Sequence, residues 1–142
     1  AGDGSSPADN SEFASGAAYV FVRSGSTWSE QAYLKPTYPR TFDEFGQGLS
    51  VAGDRLVVGA SGDDGDGSAE DVSDPMTTGA AYVFERSSGV WTQKAYLKAS
   101  DGLAFDRLGE CVACSSDTVV AGARQWHGAV APIFRGAAYV WR

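Results

Sequence analysis

The chain offers few residues for acid–base or redox chemistry. Its 142 residues include one histidine, one methionine, two cysteines and three lysines, Lys35, Lys94 and Lys98. With a single histidine, His127, no Ser-His-Asp or histidine–metal constellation can be assembled. No apolar run approaches the ~20 residues that span a bilayer, so membrane insertion is not expected. The opening Ala1-Gly2-Asp3-Gly4 has no charged-then-apolar leader pattern and reads as a processed or cut end. Positive charge is also scarce: 11 Lys and Arg face 18 Asp and Glu, giving a net charge of −7. Phosphate backbones and anionic membrane surfaces would repel such a chain, so nucleic acid is not an expected partner. What is present is a 43% hydrophobic, 12% aromatic composition with 18 glycines, enough apolar mass for a core and rich in turn formers.

The chain is repetitive. Gly16-Ala17-Ala18-Tyr19-Val20-Phe21 recurs 63 residues later as Gly79-Ala80-Ala81-Tyr82-Val83-Phe84. The same shift carries Trp28 onto Trp91, Ala32-Tyr33-Leu34-Lys35 onto Ala95-Tyr96-Leu97-Lys98, and Phe42-Asp43 onto Phe105-Asp106. A third copy, Gly136-Ala137-Ala138-Tyr139-Val140-Trp141, follows after 57 residues, because Gln125–Arg135 replaces the longer Gly62–Thr78. Self-similarity at this period signals a repeat architecture.

Within one period, short strand signals alternate with turn residues. The middle copy predicts strands at Leu49–Ala52, Arg55–Ala60, Ala80–Glu85 and Trp91–Lys98, with Gly53-Asp54 as a tight hairpin turn. Strands apolar on both faces imply a sheet covered on both sides. The expected fold is therefore all-β, built of four-stranded antiparallel propeller-type blades. A β-solenoid needs shorter coils, and an immunoglobulin-like sandwich would not repeat its strands at this shift. About two periods are present, incomplete at both ends. Residues 1–44 hold strands three and four of one blade plus a linker. Residues 45–107 hold a complete blade plus a linker, and residues 108–142 hold strands one to three of another.

Phe45-Gly46-Gln47-Gly48-Leu49-Ser50-Val51-Ala52, followed by Leu56-Val57-Val58-Gly59-Ala60, resembles the FG-GAP repeat of integrin α-subunit propellers and many secreted surface proteins. Ser61 and Arg124 stand where that family usually has Pro, and Leu108 replaces the Phe of the last copy. The resemblance implies an extracellular or cell-surface location, adhesion or scaffolding, often calcium, and no catalytic site.

Two blades cannot close a ring that typically needs about 4–8. Bare end faces would expose large aromatic side chains, and incomplete blades would expose strand edges that recruit other chains. The expected partners are other copies of the chain, joined head-to-tail, or further blades of a parent chain, with Tyr19, Phe21, Tyr139 and Trp141 as assembly-interface residues. The leading functional expectation is a non-enzymatic extracellular structural subunit that self-assembles into a filament, sheath or completed propeller. The alternative is a ligand-binding or cell-adhesion module cut from a longer integrin-α-like propeller, with calcium as its candidate cofactor.

The acidic stretch Asp63, Asp64, Asp66, Ser68, Glu70 and Asp71 is the metal candidate. Calcium takes 6–8 oxygens from carboxylates and carbonyls on a sharply turning loop, and the FG-GAP family often carries an Asp-rich calcium loop near this place. A solvated Asp/Gly loop selected for turning and solubility is the competing reading. The first copy keeps Asp3, Asp9 and Asn10, and the third has none of the carboxylates. Cys111 and Cys114 form a lone C-x-x-C at the repeat positions of Gly48 and Val51. Strand residues three apart point to opposite faces, so a disulfide between them requires a bulge or turn. Two small apolar residues in a strand is the other reading. The recurring aromatic residues suit core packing better than a carbohydrate platform, and Gly65-Asp66-Gly67 is too acidic to cradle phosphate.

Overall fold

The structure, a computed structural model, describes residues 12–66, 77–125 and 135–142. Ser68, Glu70, Asp71 and His127 lie outside the described residues. Among the described residues every regular element is a strand: β1 (Ala18–Ser24), β2 (Thr27–Leu34), β3 (Phe45–Ala52), β4 (Arg55–Ala60), β5 (Ala80–Ser87), β6 (Val90–Leu97), β7 (Leu108–Cys114), β8 (Val119–Ala123) and β9 (Ala137–Trp141). They form three antiparallel sheets, β1-β2, β3-β4-β5-β6 and β7-β8-β9. The expected all-β class is what the chain adopts.

The hairpins follow from turn chemistry. Ala52 pairs with Arg55 around Gly53, whose φ of +60° suits the first corner of a two-residue turn. Ser88 and Gly89, both at positive φ, close the β5–β6 hairpin between Ser87 and Val90. β3 begins at Phe45 rather than at the expected Leu49. A register shift between Phe45 and Gly48, with Gly46 at φ +104°, lets the strand pair through its Phe-Gly start. β7 repeats that shift between Leu108 and Cys111, where Gly109 has φ +94°. β1–β2 and β5–β6 share another irregularity, at Val20/Phe21 and Val83/Phe84. The sequence repeat is thus a repeat of backbone geometry.

The sheets stack face to face, and alternation along the strands sorts the core into two layers. Leu56, Val58, Ala60, Ala80, Tyr82, Phe84 and Trp91 of the middle sheet pack with Ala18 and Leu34 of the first. The intervening Val57, Ala81 and Val83 pack with Leu108, Val119, Ala121 and Ala123 of the third. Phe45 sits edge-on to Tyr82 and Phe84, with centroids 5.3 and 6.0 Å apart. Parallel bridges, Gly16 to Phe45 and Gly79 to Leu108, stitch each sheet to the next. Gly59 is required by this stacking, because a Cβ there would run into the Gly109 carbonyl oxygen of the next sheet.

Candidate functional site

The linkers that join the blades use one device twice. Asp43 lies between Phe42 and Glu44, at φ +70° and +57°; Asp106 lies between Phe105 and Arg107, at φ +68° and +59°. Left-handed backbone is costly for such residues, and a buried carboxylate compensates in each turn. Asp43 Oδ2 accepts from the Arg40 N–H, and Asp106 Oδ2 from the Leu103 N–H, both at 2.7 Å. The scarce lysines serve a matching purpose. Lys35 Nζ donates to Ser15 Oγ at 2.7 Å, and Lys98 Nζ donates to Thr78 Oγ1 at 2.9 Å.

Asp63 is the hub of the acidic loop. Its carboxylate accepts from the Tyr82 hydroxyl, from Tyr96 OH at 2.7 Å, from Lys98 Nζ at 3.0 Å and from the Gly65 N–H at 3.0 Å. Its backbone carbonyl accepts from the Gly79 N–H at 2.9 Å, fixing both ends of the β4–β5 loop. Burial, followed by the Asp63 carboxylate, pushes the Asp43 pKa up to about 7. Burial and the Asp63 charge likewise raise Asp64 and the Tyr82 phenol. A carboxylate with an ammonium and two phenols already donating to it is a poor ligand for a cation. Among the described residues no group of three or more His, Cys, Asp or Glu could hold a metal ion. Asp63 serves as a buried anchor, held by Tyr82, Tyr96 and Lys98. Asp64 and Asp66 lie beside it at the start of the loop, and the remaining candidates lie outside the described residues.

The cysteines are both free thiols. Cys111 is exposed, whereas Cys114 faces the middle sheet, its N–H donating to Ser50 Oγ at 3.0 Å and its Sγ 3.4 Å from Ser50 O. The bulge in β7 lies between Leu108 and Cys111, outside the Cys111–Cys114 interval. The structure therefore does not bring the two together as a local disulfide requires.

The feature with the clearest bearing on function is a difference between equivalent residues. Tyr82, Phe84 and Trp91 of the middle sheet are 4%, 3% and 8% exposed, whereas Tyr19, Phe21 and Trp28 at the same repeat positions are 47%, 51% and 64% exposed. The first sheet covers the middle trio, and Trp91 Nε1 donates to Gln31 Oε1 of β2 at 2.9 Å. Among the described residues no sheet covers the trio on the first. Tyr19 and Phe21 thus sit on an open face. Tyr139 and Trp141 do not. They turn inward, packing against the second core layer, and Tyr139 OH donates to Asp101 Oδ1 at 2.5 Å. The reason is parity: the aromatic positions always face the preceding sheet, so they are outward in the first sheet and inward in the last. On the third sheet the outward position is Val140, exposed where its counterpart Val83 is buried.

Sequence reasoning missed Leu49 and Val51. Both are exposed on β3, while their counterparts Val112 and Cys114 pack into the second core layer. They line a cleft of about 350 Å³ with Val20, Val22, Leu56 and Trp91, alongside β1. Their repeat alignment with Val112 and Cys114 was visible, but their exposure depends on what flanks β1.

Stacked antiparallel sheets of two, four and three strands, the latter two entered through the bulged Phe45-Gly46 and Leu108-Gly109 starts, define a β-propeller-type blade module. The chain belongs to the FG-GAP repeat family, whose repeat matches residues 28–84 and 91–141. A search of curated proteins finds no match. FG-GAP repeat domains are typically non-enzymatic and typical of extracellular or surface proteins. No helix among the described residues is long and apolar enough to cross a membrane.

Proposed function

We propose that this FG-GAP module is a non-enzymatic extracellular or cell-surface structural subunit that associates with further copies of itself through its open blade faces. The observation that carries this reading is the exposed Tyr19, Phe21 and Trp28 beside the buried Tyr82, Phe84 and Trp91. The middle trio records what these positions do when a further sheet is present. Leaving one such trio in water forgoes burial of large apolar side chains, each worth roughly 1.5–3 kcal/mol. Val140 adds an uncovered position at the opposite end.

Light scattering across a concentration series tests the reading, with electron microscopy of the same samples. Mass is expected to rise with concentration as integral multiples of the chain. A monomer that persists through micromolar concentrations overturns it.

A further inference from the structure

Among the described residues β1 pairs on one side alone, and its other side, with the cleft beside it, has a counterpart inside the molecule. β1 hydrogen-bonds to β2 in a two-stranded sheet. At the equivalent place in the middle sheet, β5 has β4 on its other side, paired from Arg55↔Glu85 to Ala60↔Ala80. The third sheet has the complementary composition: β7, β8 and β9, with no strand beyond β9 among the described residues. We infer that the cleft receives the β7–β8 hairpin of a second copy, and that β1 of the receiving copy replaces β9 of the donor. This rests on the self-association proposed above and names its surfaces.

Four observations support that occupant. First, β1 and β9 are interchangeable along most of their length: Gly16–Val20 and Gly136–Val140 are both Gly-Ala-Ala-Tyr-Val. β8 pairs with β9 as Val120↔Val140, Ala121↔Tyr139 and Gly122↔Ala138. In the exchange Val20, Tyr19 and Ala18 take those places, so β8 of the donor keeps its pairing while β9 is released from it. Second, β1 brings β2 with it, giving a four-stranded sheet, β7-β8-β1-β2, in the order of β3-β4-β5-β6. Third, the exchange moves Tyr19 and Phe21 into the positions of Tyr139 and Trp141 in the donor's second core layer. Fourth, it places a two-stranded cover over Leu49 and Val51, as β3 and β4 cover Val112 and Cys114 within one chain. Exchange of an identical element between protomers is a low-cost route to association, and addition of strands at a free edge follows the β-augmentation mode.

The arrangement makes a specific proximity. A Cβ at Gly48 of β3 would lie 2.7 Å from the Gly109 carbonyl oxygen and 3.4 Å from Val112 Cγ2 of the following sheet. Cys111 holds the Gly48 position on β7, and Leu49 holds the Val112 position on β3. Cys111 of the donor therefore comes beside Leu49 of the acceptor, and the junction opens slightly to admit its side chain. Within one chain these residues face opposite ends of the stack, because Leu49 lines the cleft beside β1 while Cys111 is exposed on the outer sheet.

The test is oxidative cross-linking of Leu49→Cys, an exposed substitution that leaves both core layers intact. Copper–phenanthroline is expected to yield covalent dimers and higher multiples on non-reducing gels. These bands are expected to vanish in Leu49→Cys/Cys111→Ser and to persist in Leu49→Cys/Cys114→Ser. Oligomers by light scattering without this Cys111-dependent cross-link overturn the exchange but leave self-association standing. Monomers by light scattering overturn both.

Discussion

At the residue scale, Asp43 shows how a carboxylate buried for a turn becomes a pH-dependent part of the fold. Its side chain secures a left-handed turn, yet burial, joined by the Asp63 and Asp64 charges, raises its pKa, and Arg40 only partly offsets them. The folded value of about 7 stands above the ordinary 3.8, so the native chain holds this proton more tightly than the unfolded one. Its contribution is fully present below the unfolded value and is lost as pH rises through about 7. Thermal melting followed from pH 5 to 8.5 is expected to show the wild type losing stability relative to Asp43→Asn as pH increases. Asn supplies the same acceptor to the Arg40 N–H without the charge, and parallel melting curves for the two proteins would refute the assignment. The Asp63 carboxylate was legible in the sequence as an acidic loop residue but not as an anchor. Its side-chain partners lie 19 to 35 residues away, brought together by the pairing of Tyr82 with Tyr96.

At the scale of the element, the repeat made the strands readable and the alternation made their faces readable. β4 was located at Arg55–Ala60 because apolar Val and Leu run between two glycine-bearing turns. The sequence shows only the Leu49–Ala52 part of β3, because Gly46 and Gly48 look like turn residues, whereas here they accommodate a bulge and a neighbouring backbone. Close approach accounts for several glycines that composition alone assigns to turns. Gly59→Ala is expected to destabilise the chain by about 3 kcal/mol, since its methyl group meets the backbone of Gly109 and no side chain can yield. Urea denaturation measures this, and a loss within about 0.5 kcal/mol, ordinary for a surface substitution, would show that the sheets do not meet this closely.

At the scale of the whole molecule, the stack is a comparison of one sheet in three settings. Alternation told which side chains share a face but not which face lies outermost. For that reason the sequence alone points Tyr139 and Trp141 to an open end, whereas in the structure they turn inward. The same contrast predicts unequal consequences for equivalent substitutions. Phe84→Ala is expected to cost about 3–5 kcal/mol of unfolding free energy, as a large side chain removed from a packed core. Phe21→Ala, at the same repeat position, is expected to change that free energy by about 0.5 kcal/mol. Its expected effect is a lower scattering mass at equal concentration. Equal losses of stability in the two variants would mean that Phe21 is already covered.

Salt links join the entry of the middle sheet to the third sheet, from Glu44 to Arg107 at 3.0 Å, on to Glu110 of β7 at 3.1 Å and then to Arg124 at 2.6 Å. Glu44 and Arg107 are the same repeat position with the charge reversed, and so are not interchangeable. Together with an aromatic side that always looks toward the preceding sheet, this gives the molecule a sense of direction. Reversing one blade would set like surfaces and like charges against each other. Material grown from such a unit would therefore be vectorial, with a plus and a minus tip that add subunits at different speeds.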